Sequence, residues 1–295
     1  MTCRASRGEG FGIALVAVAG LSFSIDMPLV KLTGGEVWSV LAVRSSLVLV
    51  AGIVLLAFAG GPRFIRTLEW PGIEAGVALL YGLNALFLVL AVFNAPVANI
   101  AFILGLSPAA AALLAWWWLG ERPSGTTMTG IVLAIAGVAL ILVGSIGDGT
   151  LTGHICALAM VMVFALGSSA TRRYDLKVGP LPLCGFGAPA AIAWVVVSQV
   201  GFEPGQVSWL AIDALLVIPL AYMAMANAPR YVPAAFSSFA LPIELALVPI
   251  WMWLVFSEVP ERGAVIGGSL VMIAVVLTMS GRLLARARPP ARGAA

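Results

Sequence analysis

The stretch PVANIAFILGLSPAAAALLAWWWLGERP at residues 96–123 decides the fold, because PAAFSSFALPIELALVPIWMWLVFSEVP at residues 233–260 repeats its pattern. Each stretch is an apolar run long enough for a membrane helix, and each closes on a Glu-x-Pro turn. At an offset of 137 residues the matching pairs are Pro96 and Pro233, Trp116 and Trp253, Glu121 and Glu258, Pro123 and Pro260, and Gly130 and Gly267. The sequence therefore predicts an internal repeat.

The composition of the whole chain agrees with membrane helices. Of the 295 residues, 61% are hydrophobic and 10% are charged, against about 45–50% and about 25% in soluble domains. A water-soluble chain of this length needs more polar residues to cover its surface. The composition argues against a soluble enzyme, a secreted disulfide scaffold, a disordered chain and a nucleic-acid binder, and it favours a polytopic membrane protein.

Ten stretches of roughly 20 mostly apolar residues are long enough to cross a bilayer core of about 30 Å. Cutting the sequence at proline, glycine and charge clusters places these spans at residues 11–30, 37–60, 71–93, 96–119, 126–146, 151–171, 179–200, 207–228, 233–256 and 263–284.

The distribution of lysine and arginine predicts the orientation of these spans. With the N-terminus in the cytoplasm, 13 of the 16 basic residues fall on the cytoplasmic side. Only Lys31 and Arg262 fall outside, and Arg44 lies within a span. We therefore expect both termini in the cytoplasm. The preference for arginine over lysine, with many alanines and glycines, is typical of a GC-rich bacterial genome, so we expect a bacterial inner membrane.

The span count also sets the relation between the two repeats. Five spans separate equivalent points, so the second repeat lies upside down relative to the first, with Glu121 at the cytoplasmic face and Glu258 at the outer face. The predicted fold is an all-α polytopic membrane protein of ten transmembrane helices in two inverted five-helix repeats. The predicted domains are residues 1–146 (helices 1–5), residues 147–284 (helices 6–10) and a basic cytoplasmic tail at residues 285–295. Inverted repeats are typical of secondary transporters.

The motifs also resemble a known family. Ser107-Pro108, followed by apolar residues up to Leu119-Gly120-Glu121-Arg122-Pro123, is similar to the fourth-helix signature of EamA-type transporters in the drug/metabolite transporter superfamily. Arg44 matches an arginine early in the second helix of that family, and Lys31 matches a lysine that closes the first. Glu244 lies where the family often has Glu-Pro, but Leu245 follows it here. Size and composition look most like YddG-type exporters of aromatic amino acids. The resemblance implies two inverted halves that open alternately on a central cavity.

Glu244 is the charged residue predicted to lie closest to the bilayer midplane. A charge there costs about 2.5–3.5 kcal/mol on insertion scales, so its presence requires an explanation. One interpretation is a carboxyl group that carries a proton or faces a substrate amine in the cavity. The other is a structural carboxyl group bonded to backbone that Pro242 or Pro249 leaves unpaired.

Asp26 and Arg44 are predicted at similar depths on neighbouring antiparallel helices. An unpaired charge there would be costly, so we interpret them as a structural or gating ion pair. Asp213, at comparable depth in the eighth span, competes for Arg44.

Several uncharged polar residues fall on the helices that line the cavity in the resembled family. With Glu244, the substrate-binding candidates are Tyr81, Asn84, Asn99, Ser107, Ser168, Tyr222, Ser237 and Ser238. The alternative for each is a hydrogen bond between helices, which membrane proteins use commonly.

These observations predict a secondary exporter of small metabolites, most readily aromatic or other neutral amino acids, and not an enzyme. A lone histidine, His154, three widely spaced cysteines and the lack of a Gly-Lys phosphate loop indicate no metal, cofactor or nucleotide. The expected partners are an amino-acid substrate and the lipid bilayer, without nucleic acid; the oligomeric state stays open, and a monomer is compatible with the sequence. The alternatives are an exporter of a cationic drug or sugar derivative, an intramembrane enzyme, and a membrane scaffold or receptor.

Overall fold

The computed structural model describes residues 2–144, 149–176, 179–197, 204–232 and 239–287. Within these ranges the chain forms helices and turns, and no β-strand. Its apolar helical segments are α1 (Thr2–Thr33), α2 (Val37–Phe58), α3 (Pro71–Asn94), α4 (Val97–Leu104 and Ser107–Leu119), α5 (Gly125–Gly144), α6 (Leu151–Arg173), α7 (Leu181–Cys184 and Gly187–Val196), α8 (Pro204–Ile212, Asp213–Val217 and Ile218–Asn227), α9 (Ala240–Phe256) and α10 (Arg262–Ala287).

Eight of these segments are long and apolar enough to cross a membrane, and α7 and α9 are shorter. The 17 residues of α9 span roughly 25 Å at 1.5 Å per residue. The sequence predicts that this span begins at residue 233, but residues 233–238 lie outside the described part of the chain. Of the predicted tail, residues 288–295 lie outside it as well. The protein is thus an all-helical multi-pass chain, and the ten-span inverted arrangement stays a prediction.

Proline explains why the span that contains α4 is interrupted. Pro108 has no backbone N–H and cannot donate to the carbonyl group of Leu104, four residues earlier. The Ser107 hydroxyl group donates to that carbonyl oxygen instead, at 2.6 Å. The second piece of α4 then starts at Ser107, with proline in its first turn.

The structure also shows how α2 begins. The carboxylate of Glu36 accepts hydrogen bonds from the backbone N–H groups of Trp38 and Ser39, at 3.0 and 2.7 Å. Partial burial acts to raise the pKa of Glu36, but these hydrogen bonds lower it below its ordinary value. This N-cap fixes the start of the helix that carries Arg44 two turns further on.

The two Glu-x-Pro turns have the same backbone structure. Gly120 and Ser257 are the residues after α4 and α9, and both are left-handed, with φ of 73° and 54°. The next N–H group, that of Glu121 or Glu258, donates to a carbonyl six residues back, at 3.3 Å in each case. This left-handed helix ending recurs at positions that the 137-residue offset makes equivalent.

The first helix of each predicted half packs against the other half. Helix α1 packs most extensively against α8 and α9, and α6 packs most extensively against α3 and α4. Helices α5 and α10 pack along each other. There Gly137 and Gly267 lie so close that a Cβ atom on Gly137 would be 2.6 Å from the carbonyl oxygen of Gly267.

The outer surface of this bundle is apolar. Large side chains such as Phe58, Trp117 and Val195 are more than four-fifths exposed. In water this surface would be an aggregation hazard, whereas a bilayer covers it. The buried charged and polar side chains lie inside the bundle.

Candidate functional site

The interior of the bundle holds a charge cluster formed by Arg44, Asp26 and Asp213. Arg44 on α2 donates from Nε to Asp213 Oδ2 at 2.7 Å and from Nη2 to Asp26 Oδ1. The side chains are only 1%, 6% and 1% exposed for Arg44, Asp26 and Asp213. The structure thus brings together the proposed pair Asp26 and Arg44, and Asp213 joins it rather than competing for it.

The local structure of α8 places Asp213 in this cluster. Asp213 opens a five-residue π-helical turn that extends to Val217. The N–H group of Ile218 donates to the Asp213 carbonyl oxygen and closes the turn, immediately before Pro219. Such single π turns inside α-helices occur frequently at functional sites.

Two polar atoms of the charge cluster have no hydrogen-bond partner. Arg44 Nη1 and Asp213 Oδ1 are both buried and unpaired. A buried polar atom without a partner costs about 1–3 kcal/mol, and more when the group is charged. The cluster therefore has one free donor and one free acceptor, and a ligand with both an acceptor and a donor could satisfy them.

An aromatic cluster lies beside these charges. The rings of Tyr81 on α3 and Tyr222 on α8 meet edge to face, with centroids 6.1 Å apart. Tyr222 also contacts Phe23 at 5.6 Å and Phe186 at 6.4 Å, and Tyr81 contacts Phe164 at 5.9 Å. All these contacts are near perpendicular, as aromatic pairs prefer. Phe23 and Asp26 lie three residues apart on α1, which is one helical turn, so the aromatic cluster and the charge cluster adjoin each other.

The phenylalanines of this cluster were missing from the sequence-based candidates. Those candidates were chosen because polar groups are costly in a bilayer, and Phe23, Phe164 and Phe186 are apolar. A spacing comparison could have found two of them, since Phe23 to Phe164 is the same interval as Tyr81 to Tyr222.

Glu244 lies on α9 at the edge of the same site. It is buried, with 8% of its surface exposed, and it forms no ion pair with a basic residue of the described chain. Its carboxyl group interacts electrostatically with Asp26 and Tyr222. Three carboxyl groups thus share a region with one guanidinium group.

The other predicted polar candidates are engaged in contacts within the protein. Asn84 donates to the Met160 carbonyl oxygen at 3.0 Å and ties α3 to α6. Ser168 donates to the Ala165 carbonyl oxygen at 3.1 Å, and Ser107 bonds to Leu104 as described above. Asn99 lies 3.3 Å from a ring nitrogen of His154, on the facing helix α6. Ser237 and Ser238 lie outside the described residues.

Two ion pairs join the Glu-x-Pro turns to neighbouring helix ends. Lys31 at the end of α1 lies 2.5 Å from Glu258, and its ammonium group is 5.2 Å from the centre of the Phe256 ring. Arg172 at the end of α6 lies 3.1 Å from Glu121. Both pairs are partly exposed. Each joins two segments that the lysine and arginine distribution assigns to the same membrane face, outer for the first and cytoplasmic for the second.

The comparison with protein families identifies the first half of the chain. Residues 10–143 match the EamA-like transporter family. This half belongs to the EamA-like transporter family. The match includes Lys31, Arg44 and the turn at Glu121, and it confirms the resemblance found from the sequence. It indicates a multi-pass membrane transporter of the drug/metabolite transporter superfamily.

A solved crystal structure shares the fold of this EamA-like protein. The TM-score is 0.64, over 95% of this chain and 99% of the other, at 18% sequence identity. No curated protein sequence matches the chain. In the described residues, no group of three or more His, Cys, Asp or Glu side chains is placed to hold a metal ion.

Proposed function

We propose that this EamA-like protein exports aromatic or other large neutral amino acids. The observation that carries the proposal is that an aromatic cluster around Tyr81 and Tyr222 adjoins the charge cluster around Arg44, with Phe23 and Asp26 one helical turn apart on α1. An aromatic amino acid has the same two parts, an apolar ring and a zwitterionic end.

Each part of such a substrate has a partner in the site. The substrate carboxylate would accept from Arg44 Nη1, and its ammonium group would donate to Asp213 Oδ1, which are the two unpaired buried atoms. The substrate ring would pack against Tyr81 and Tyr222 in edge-to-face or offset geometry. A zwitterion brings no net charge into the bundle, so its entry does not change the charge that the membrane interior must accommodate.

We propose alternating access as the mechanism, with two inverted halves that rock around the central site. Three features of the chain support two inverted halves. The left-handed helix endings after α4 and α9 are alike, the ion pairs at Glu121 and Glu258 both tie a Glu-x-Pro turn to a helix end, and the 13-to-2 distribution of basic residues fits ten spans. The same distribution supports cytoplasmic termini in a bacterial inner membrane.

Proton exchange through Glu244 is the proposed source of energy. Glu244 faces Asp26 and Tyr222, and Arg44 is already engaged by two carboxylates. Because no basic side chain in the described residues pairs with Glu244, its carboxyl group is free to exchange a proton as the halves rock. Glu244→Gln should leave substrate binding largely intact and abolish the response of transport to a pH gradient. Glu261→Gln, the same change at an exposed position, is the control, and a full pH response in Glu244→Gln would refute this role.

A cation exporter is the second candidate function, and one observation favours it. The site has three carboxyl groups, from Asp26, Asp213 and Glu244, and one guanidinium group, from Arg44. This excess of carboxyl groups would attract an organic cation. The two functions differ in their dependence on Glu244. A cation exporter with Glu244→Gln should lose substrate binding, whereas an amino-acid exporter should retain it.

Counterflow in proteoliposomes tests the proposal. Vesicles preloaded with single unlabelled amino acids are diluted into labelled phenylalanine, with and without a pH gradient. We expect acceleration by aromatic and large neutral amino acids alone. A silent amino-acid panel, together with counterflow of a labelled organic cation into vesicles preloaded with that cation, would replace the amino-acid proposal by the second function.

A further inference from the structure

The aromatic cluster consists of two similar phenylalanine–tyrosine pairs. The offset in sequence between these pairs differs from the 137-residue offset between the Glu-x-Pro turns. Phe23 and Phe164 are 141 residues apart, and so are Tyr222 and Tyr81. Phe23 meets Tyr222 at 5.6 Å and 75°, and Phe164 meets Tyr81 at 5.9 Å and 84°. The two tyrosines meet where the sides join. One side therefore pairs Phe23 on α1 with Tyr222 on α8. The other side pairs Phe164 on α6 with Tyr81 on α3.

The charged residues of the site, in contrast, have no charged counterparts at the 141-residue interval. Asp26 follows Phe23 by three residues, and at the same interval after Phe164 the chain has Gly167. At the 141-residue interval Arg44 also corresponds to a glycine, Gly185. The site thus has a charged side at α1, α2 and α8 and an uncharged side at α6 and α3.

Gly167 differs from the other buried glycines in the described residues. At each of the others, Gly12, Gly20, Gly52, Gly82, Gly105, Gly130, Gly137, Gly153, Gly267 and Gly268, a Cβ atom would come within 3.0 Å of a neighbouring atom. At Gly167 the nearest atoms would be Leu80 Cβ and Tyr81 Cε2, both at 3.6 Å, which is ordinary contact.

Helix packing therefore does not require glycine at position 167. Glycine inside a helix is less stable than alanine, and here an alanine would fit. The missing side chain leaves room for one Cβ atom beside the Tyr81 ring and one turn from Phe164, on the uncharged side of the site. The unpaired Arg44 Nη1 and Asp213 Oδ1 on the opposite side indicate where the charged end of a ligand would bind.

We propose that Gly167 sets the size of the substrate side chain. Resting on the proposed function, this assigns one orientation to the bound amino acid. Its zwitterionic end binds at Arg44 and Asp213, and its side chain crosses between Tyr81 and Tyr222 into a subsite formed by Gly167, Tyr81 and Phe164. A larger residue at 167 fills that subsite and excludes aromatic side chains while small amino acids still fit.

The test is a graded series, Gly167→Ala, Gly167→Val and Gly167→Leu, in the counterflow assay. The readout is the rate with labelled phenylalanine divided by the rate with labelled alanine. We expect Gly167→Ala to stay within about twofold of the unmodified protein and Gly167→Leu to lower the ratio roughly tenfold or more, because one or two methylene groups in a pocket discriminate by that factor. Gly76→Leu is the matched control, since Gly76 is exposed on α3 with no atom near its Cβ position.

Each outcome of this series has a definite meaning. A ratio that falls stepwise from alanine to valine to leucine, in variants that elute as monodisperse protein, supports the size role. If Gly167→Leu fails to fold, Gly167→Val gives the ratio. An unchanged ratio, or an equal loss for both substrates, overturns the role of Gly167 and leaves the amino-acid function standing. No counterflow of any amino acid by the unmodified protein would instead overturn the proposed function, and this inference with it.

Discussion

Tyr81 and Tyr222 meet edge to face with ring centroids 6.1 Å apart, and they are carried by helices that pack mainly against different partners. Tyr81 lies on α3 beside α6, and Tyr222 lies on α8 beside α1. Movement of one helix group relative to the other would therefore change the distance between these two rings. In the proposed function, a substrate ring packs against either tyrosine.

Removal of either tyrosine ring should therefore weaken the binding of aromatic substrates. We expect Tyr81→Ala and Tyr222→Ala each to raise the half-saturating phenylalanine concentration by about threefold to tenfold, since an aromatic pair contributes about 0.5–1.5 kcal/mol beyond its buried area. Tyr81→Phe and Tyr222→Phe should keep near-normal values, because the ring remains. Counterflow rates over a range of phenylalanine concentrations measure this.

A similar contact far from the site provides the control. Tyr231 meets Phe11 edge to face at 5.0 Å in the N-terminal third of α1, with Tyr231 and Phe11 44% and 53% exposed. Tyr231→Ala removes the same type of contact and should leave the half-saturating concentration unchanged. Equal effects at Tyr231 and Tyr81 would show that the loss comes from general destabilisation.

Arg44 should be the charged residue whose loss destabilises the fold most. Arg44→Met leaves the carboxylates of Asp26 and Asp213 buried without their cation, and breaking a buried ion pair in this way costs about 3–5 kcal/mol. The triple variant Arg44→Met, Asp26→Asn, Asp213→Asn should recover most of that loss. The thermal unfolding midpoint in detergent measures both, with Arg172→Met as the control.

Arg172 is a suitable control because its ion pair with Glu121 is exposed to solvent. Arg172 and Glu121 are 44% and 53% exposed, and exposed ion pairs contribute within about 1 kcal/mol. Arg172→Met should therefore shift the midpoint far less than Arg44→Met. A similar shift for both variants would contradict the view that burial decides the cost of losing Arg44.

Sequence reasoning found the charged part of the candidate site and its two tyrosines, but not its phenylalanines. The high cost of a membrane-buried charge singled out Asp26, Arg44, Asp213 and Glu244 without any coordinates. The same reasoning passes over Phe23 and Phe164, because apolar residues need no explanation in a bilayer.

The internal repeat was likewise only partly visible from the sequence. The 137-residue offset holds from Pro96 to Gly130, but the α1 and α3 contacts recur at 141 residues, so a search in one register misses them. The role of Asn84 depends on how α3 is rotated about its axis. Packing against α6 sets that rotation and directs the amide at the Met160 carbonyl group.

The ion pair between Lys31 and Glu258 should contribute to transport as well as to stability. It ties the end of α1 to the turn after α9, and its side chains are 32% and 22% exposed. We expect Lys31→Glu and Glu258→Lys each to slow phenylalanine counterflow severalfold, because each places two like charges together. The double variant, which restores opposite charges, should recover most of the rate. Additive losses in the double variant would exclude a direct interaction.

Alanine at two buried glycines should have opposite effects on stability. Gly137→Ala places its Cβ atom 2.6 Å from the Gly267 carbonyl oxygen, and overpacking of this kind costs typically about 1–3 kcal/mol. Gly167→Ala has room, with its nearest neighbours at 3.6 Å, and an alanine that fits a helix stabilises it by about 0.5–1 kcal/mol relative to glycine. Thermal unfolding in detergent should place Gly137→Ala below the unmodified protein and Gly167→Ala at or above it. A clear loss of stability in Gly167→Ala would mean that helix packing requires glycine at position 167. Packing alone would then explain the glycine, and the proposed role in substrate binding would lose its support.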